Sequence, residues 1–218
     1  MDFVLNFFRQ GGPFMYIILC ISVIAMATGL ERGYMILFRY NINGAAFMAQ
    51  VQKLVMANNI DRAIKLCNAE SNASLTKVLK AGLTRANRGA LEIQNSVDEA
   101  TLEAIPQLQK RTPYLGMWAN VATLTGLLGT IQGLVKAFEA VAKANPEEKQ
   151  QMLANGISIA MYTTAFGLVV AIPTMICHSV IANRTVKLID EIDQFSVKLI
   201  NLLAARQRGA LTDDDGQS

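Results

Sequence analysis

Charge is scarce in this sequence. Asp, Glu, Lys and Arg make up 17 % of its 218 residues, well under the roughly 25 % of a soluble domain. With 20 basic and 17 acidic residues the net charge is only +3, which excludes a strong nucleic-acid footprint. There is one histidine, His178, and the three cysteines, Cys20, Cys67 and Cys177, have no metal or redox spacing. The cysteines therefore read as reduced structural thiols. His178 has no acidic or cysteine partner nearby in sequence and reads as a packed or interfacial side chain, not a ligand or proton carrier. No Ser/His/Asp set, metal cluster or phosphate loop can be assembled, so neither enzyme chemistry nor a cofactor or metal is expected. Strand alternation is absent too, which leaves an all-α chain.

The missing charge is concentrated. Three windows lack any Asp, Glu, Lys or Arg: Arg9 to Glu31, Arg111 to Lys136 and Lys149 to Arg184, holding 21, 24 and 34 residues between their ends. A helix crosses a roughly 30 Å hydrocarbon core with about 20 apolar residues, so the first two fit one crossing each. The third would reach about 50 Å as one helix and has no turn signal within it. Its ends must then stand in headgroups, water or protein. The N-terminus lacks a cleavage site and does not read as a signal peptide. Phe3, Val4, Phe7 and Phe8 suit a short interfacial helix, or a frayed end.

Residues 32–112 carry 11 basic and 6 acidic side chains, whereas residues 136–155 carry three of each. The positive-inside rule places the first of these segments in the cytoplasm and the N-terminus outside. The expected order is an outer N-terminus at 1–12, a first span at 13–31 and a cytoplasmic helical segment at 32–111. A second span at 112–136 and an outer loop at 137–150 follow. A third span at 151–182 leads to a cytoplasmic helix and acidic tail at 183–218. Within the cytoplasmic segment, Ala45 to Ala57 is a helix, Asn59 an N-cap for the next, and Leu75, Val78, Leu79 and Leu83 the stripe of a third. A fourth starts near Ala90 with Leu91, Val97, Leu102 and Ile105 on its apolar side, kinked by Pro106 and Pro113. Asn145, Pro146, Glu147 and Glu148 form a helix start. From there one helix of about 60 residues is expected, bent at Pro173. Leu188, Ile192, Phe195, Leu199 and Leu202 continue it as a heptad-like seam, packing within the chain or between copies. The final "TDDDGQS" is expected to be disordered.

Spans two and three are unlike ordinary apolar helices. Asn120, Thr123, Leu127 and Thr130 fall at i, i+3, i+7, i+10. Gly129 and Gly133 form GxxxG, with Gly126 one turn earlier. In span three Gly156, Ala160, Thr163 or Thr164, Gly167 and Ala171 make a small-residue face. Such faces let membrane helices approach closely, while the first span, richer in Ile and Met, is left to face lipid. A membrane threonine can merely bond the carbonyl one turn back. Several on two small-faced helices suit a bundle interior or a wet cavity, where hydroxyls hold water and pass protons.

"LTGLLGTIQGLVKAF" and "GISIAMYTTAFGLVVAIP" resemble the two signature spans of the MotA/TolQ/ExbB proton channel family. "GGPFMYIILCISVIAMATGLERGYMILF" is similar to its first span and Glu-Arg exit, and "DRAIKLCNAE" to its cytoplasmic helices. The similarity covers about residues 10–205. It implies an all-α membrane protein with three transmembrane helices and long cytoplasmic extensions, assembled as a homo-pentamer in a bacterial inner membrane. It also implies a dimer of single-span ExbD/TolR-like partners whose membrane Asp takes up protons. Thr130 and Thr164 match the family's path-lining threonines, with Thr123 and Thr163 in support, and Pro173 matches its proline. Many relatives carry a glutamate where this chain has Ile159, so the titrating carboxylate is expected from the partner chain. The implied role is a stator-like subunit driving transport, envelope maintenance or motility, with a TonB-like, TolA-like or motility protein as load. The rival role is a non-conducting scaffold.

Overall fold

The computed structural model describes residues 11–40, 42–70, 73–143, 145 and 147–214. The suggested interfacial helix at Phe3–Phe8 lies outside these residues, as do Pro146 and the last four residues. Seven α-helices and one π turn account for the regular structure among the described residues.

Helix α1, Pro13–Tyr34, starts on the expected proline. Just before it Gly12 takes φ +72°, a conformation that costs glycine little. Its 22 residues give a length of about 33 Å, enough for one crossing. A π turn, Met35–Arg39, follows and closes with the Tyr40 N–H donating to the Met35 carbonyl at 2.9 Å. Helix α2, Gly44–Met56, is capped by Asn43, whose Oδ1 accepts from the Ala46 N–H at 3.2 Å. It ends at Asn58, in the left-handed region with φ +59°. There the Asn59 N–H reaches the Leu54 carbonyl and the Asn58 N–H the Val55 carbonyl, at 2.9 and 3.0 Å. This is the reverse-turn closure that Asn tolerates in place of Gly.

Asn59 stands before helix α3, Ile60–Ala69, without capping it through its side chain. Its amide turns back and donates to the Ala57 carbonyl, because the residue is engaged in ending α2. Helices α4, Ser74–Thr84, and α5, Ala90–Gln109, come next, then α6, Thr112–Lys143, and α7, Lys149–Asp214.

The chain divides into two compact units, residues 1–32 with 111–180, and residues 33–110 with 181–218. In the first, Ile18, Ile21, Ala119, Ala122, Val170 and Ala171 form the core, flanked by Trp118, Val121 and Phe166. Helix α1 thus has two sides: Ile18, Ile21, Ala25 and Gly29 pack inward, while Ile17, Val23, Met26 and Leu30 are exposed. One end of this unit is tied by polar contacts. Arg32, only 2 % exposed, donates from Nε and Nη2 to the Thr112 hydroxyl at 3.3 Å, and Arg111 pairs with Glu31.

In the second unit α2 packs on α3, α3 on α4 and α4 on α5. Leu75, Val78, Leu79 and Leu83 are buried as the spacing predicts. The lower stretch of α7 lies against them: a Cβ on Gly82 would come within 2.9 Å of Leu199 Cδ2, and one on Gly44 within 2.7 Å of Phe195 Cε2. The seam therefore packs within the chain, through Ile192, Phe195, Leu199 and Leu203; Leu188 and Leu202 are half-buried flanks.

Three expectations are corrected. The apolar side of α5 is Ile93, Val97, Ala104 and Leu108, with Leu91 and Leu102 exposed. The expected set mixed two stripes; the buried one follows near-i+4 steps. The helix does not run on through both prolines into the second span. The backbone breaks at Arg111, φ +65°, Pro106 sits within α5, and Pro113 falls in the first turn of α6, where its missing N–H costs nothing. Helix α7 starts three residues after Pro146, at Lys149, and runs uninterrupted through Pro173 for 66 residues. It continues to Asp214.

Candidate functional site

The site lies where α6 and α7 meet in the first unit. Small residues bring the two backbones together. The buried positions along α6 include Leu115, Ala119, Ala122, Gly126, Gly129, Gly133 and Ala137, and those along α7 include Gly156, Ala160, Thr163, Gly167 and Ala171. Steps of three and four keep each set on one stripe. A Cβ on Gly156 would stand 2.2 Å from Ala137 Cβ, one on Gly167 2.9 Å from the Ala122 carbonyl oxygen, and one on Gly126 3.1 Å from that of Thr163. Gly129 lies under Thr163, whose Cβ and Oγ1 would be 2.8 Å from an added methyl, and Gly133 lies under Ala160.

Close approach puts two hydroxyls face to face. Thr130 and Thr164 hydrogen-bond directly across the helix pair. Each also lies within reach of its own carbonyl one turn back and of the other helix's carbonyl. Thr130 Oγ1 is 3.2 Å from the Gly126 oxygen and 3.4 Å from that of Ala160, and Thr164 Oγ1 is 3.3 and 3.5 Å from the same two. Two hydroxyls bring two protons, and five contacts compete for them. Only two can be made at once, so the protons can redistribute without moving a heavy atom far. Both residues are half-buried at the edge of the seam. A threonine that only satisfied its own helix would make the one-turn-back bond alone.

The other marked residues fall differently. Thr163 is 1 % exposed and donates to the Ala160 carbonyl at 2.8 Å, so it belongs to the seam. Thr123 bonds the Ala119 carbonyl and, with Asn120 and Leu127, is exposed on this chain. The face expected at i, i+3, i+7, i+10 therefore does not meet α7; only Thr130 does. Ile159 lines a cavity of about 260 Å³ together with Thr163, Gln132, Lys136 and Asn155, at the end of the unit opposite Arg32. Gly29 and Gly116 were not singled out by sequence. A Cβ at either would be 3.4 Å from Cys177 Sγ or the His178 ring. His178 is thus a packed side chain, as read. The Arg32–Thr112 contact was also missed; the Glu-Arg pair at the end of span one was its available signal. Among the described residues no His/Cys/Asp/Glu group could hold a metal.

Three helices long and apolar enough to cross a membrane, with α6 and α7 seamed by glycine and alanine around a hydroxyl pair, define a multi-span α-helical membrane protein. The chain belongs to the MotA/TolQ/ExbB proton channel family, whose pattern matches residues 70–194. It is 26 % identical over 191 residues to an ExbB homolog, a biopolymer transport protein of Methanothermobacter thermautotrophicus, covering 87 % of this chain and 67 % of that one. It is 38 % identical over 80 residues to the Tol-Pal system protein TolQ of Haemophilus influenzae, covering 37 % of this chain and 35 % of that one. The fold is similar to that in the structure of C. jejuni MotAB, with TM-score 0.66 and 18 % identity, over 91 % of this chain and 80 % of that one.

Proposed function

We propose that this chain is the stator-like subunit of an inner-membrane complex that converts proton flow into movement of a partner acting across the periplasm. It assembles as a homo-pentamer around a dimer of single-span ExbD/TolR-like proteins. Residues 1–12 and 137–150 face the periplasm, and residues 32–111 and 183–218 face the cytoplasm. Thr130 and Thr164 line the proton path, with Thr163 holding the seam behind them and Thr123 turned toward a neighbouring subunit or the partner. The observation that carries this reading is the hydroxyl pair across α6 and α7, whose two protons can occupy five contacts.

No Asp or Glu occurs between Lys149 and Arg184. A neutral hydroxyl already carries its proton and is too weakly basic to take up a second. The carboxylate that takes it up therefore comes from the partner, and the threonines relay and orient. Load, whether nutrient uptake, envelope maintenance or motility, is set by what that partner grips.

The test is proton-motive-force-dependent work in cells whose only copy carries Thr130→Val and Thr164→Val, with assembly checked in the membrane. Loss of work with intact assembly is expected. Full work with intact assembly would remove the hydroxyl-relay role.

A further inference from the structure

In the first unit a cavity of about 260 Å³ lies at the end away from Arg32, where the start of α1, the closing stretch of α6 and the opening stretch of α7 meet. Phe14, Met152 and Ile159 give it apolar walls. Three polar side chains line it as well, Gln132 and Lys136 from α6 and Asn155 from α7. None of the three forms a side-chain hydrogen bond or ion pair among the described residues. Thr163 also lines the cavity, but its hydroxyl donates to the Ala160 carbonyl at 2.8 Å. Among the described residues no Asp or Glu lines it. A lysine carries three N–H donors and each amide two. The cavity therefore offers several donors and one positive charge, with no anion of its own. Gly12 and Pro13, at the positive end of the α1 dipole, line it too.

Its depth in the membrane follows from the sequence. Pro13 opens α1, Lys136 is the first charge after the second charge-free window, and Asn155 stands six residues after Lys149, where the third window begins. All three lie where a span leaves the roughly 30 Å hydrocarbon core for the headgroup layer. A free aqueous anion gains nothing from Phe14, Met152 and Ile159. The phosphodiester of a phospholipid arrives there with glycerol and acyl chains attached. The volume suits one headgroup, being just below the roughly 300–1,000 Å³ of pockets that hold drug-sized ligands.

We propose that this cavity holds the phosphate of a phospholipid drawn from the leaflet at that end of the spans. The Lys136 ammonium pairs with the phosphate, the Gln132 and Asn155 amides donate to its free oxygens, and the apolar walls take the glycerol and the first methylenes. Phosphatidylglycerol suits the site better than phosphatidylethanolamine, whose own ammonium meets Lys136 with like charge. The bound lipid fastens the start of α1 to the α6–α7 pair. The site is the same for either orientation of the chain and does not rest on the proposed proton path.

Native mass spectrometry tests this on the full-length protein, purified in mild detergent in its assembled form and titrated with lipid. One phosphatidylglycerol per chain is expected to bind, in preference to a diacylglycerol of the same acyl chains, which lacks the phosphate. Removing a charged hydrogen-bonding partner should weaken that binding at least roughly tenfold in Lys136→Met, which keeps most of the stem. Ile159→Glu puts a competing carboxylate in the same space and should weaken it likewise, which keeps the test open if Lys136→Met fails to assemble. Lys149→Met, at the start of α7 but outside the cavity, should leave it unchanged. Binding unchanged in an assembled Lys136→Met or Ile159→Glu chain would overturn the proposal, and so would an equal loss in Lys149→Met. Equal binding of diacylglycerol would show that acyl chains alone hold the lipid. Displacement of the lipid by millimolar inorganic phosphate would make this a free-anion site; either result also overturns it.

Discussion

Ile159 lines a cavity shared with Lys136, Gln132 and Asn155, so a carboxylate there would have polar neighbours and an ammonium group lining the same space. Ile159→Glu should therefore be tolerated, with assembly and melting temperature near wild type. A collapse of assembly would show that the position is held apolar by packing. Cys67 makes the opposite case, of a group whose chemistry is suppressed. It is 2 % exposed, and burial pushes its thiol up from 9.0 to about 11, with Lys80 pulling slightly the other way. The folded state holds the proton that the unfolded chain releases above pH 9. Its stabilising contribution is thus fully present below pH 9 and lost as pH rises toward 11. A thiol reagent at pH 8 should label Cys67 only after denaturation, at a rate set by unfolding. Prompt labelling of the native protein would contradict that burial.

At the scale of elements, the glycine seam sets the distance between α6 and α7, and that distance makes the hydroxyl pair. Gly156→Ala forces a methyl to within 2.2 Å of Ala137 Cβ, whereas Gly33 has nothing within 4 Å of its place for one. Overpacking of this kind costs about 1–3 kcal/mol. Gly156→Ala should lower the melting temperature of the detergent-solubilised protein and Gly33→Ala should leave it unchanged or raise it slightly. Equal melting temperatures would mean that the seam is not a tight contact.

The spans themselves were legible, because charge-free windows of the right length have few other physical explanations, and so was the long α7. The polar face of α6 was only half legible. Its members, 120, 123, 127 and 130, sit one residue along from the buried stripe at 119, 122, 126 and 129, about 100° around the helix. Spacing shows that residues share a face but not which face meets a partner. Thr130 reaches α7 because Gly129 beside it admits Thr163, and Thr164 follows Thr163 to the same edge. The Asn43 cap, the Asn58 turn and the break at Arg111 rest on backbone conformations that several residue types can adopt. Pro106 and Pro113 drew attention to the wrong positions.

For the whole molecule, one unit carries the membrane-crossing helices and the other a helical bundle closed by the same α7. On a single chain Asn120, Thr123, Leu124, Leu127 and Ile131 are all exposed. Exposed amide and hydroxyl groups within a span are costly against lipid, and neighbouring subunits or the single-span partners are what cover them in the proposed assembly. The central claim is that protons pass by way of the paired hydroxyls. It is tested most directly in inverted membrane vesicles, by the rate at which an imposed pH gradient decays. The vesicles come from strains carrying the wild-type chain, the Thr130→Val/Thr164→Val chain, or none, with equal amounts of assembled complex where the chain is present. Losing a hydrogen bond worth about 1–1.5 kcal/mol at the rate-limiting transfer slows it roughly tenfold. The wild-type flux above the empty strain should therefore fall about tenfold in the double variant. A double variant that conducts as the wild type does would contradict the account.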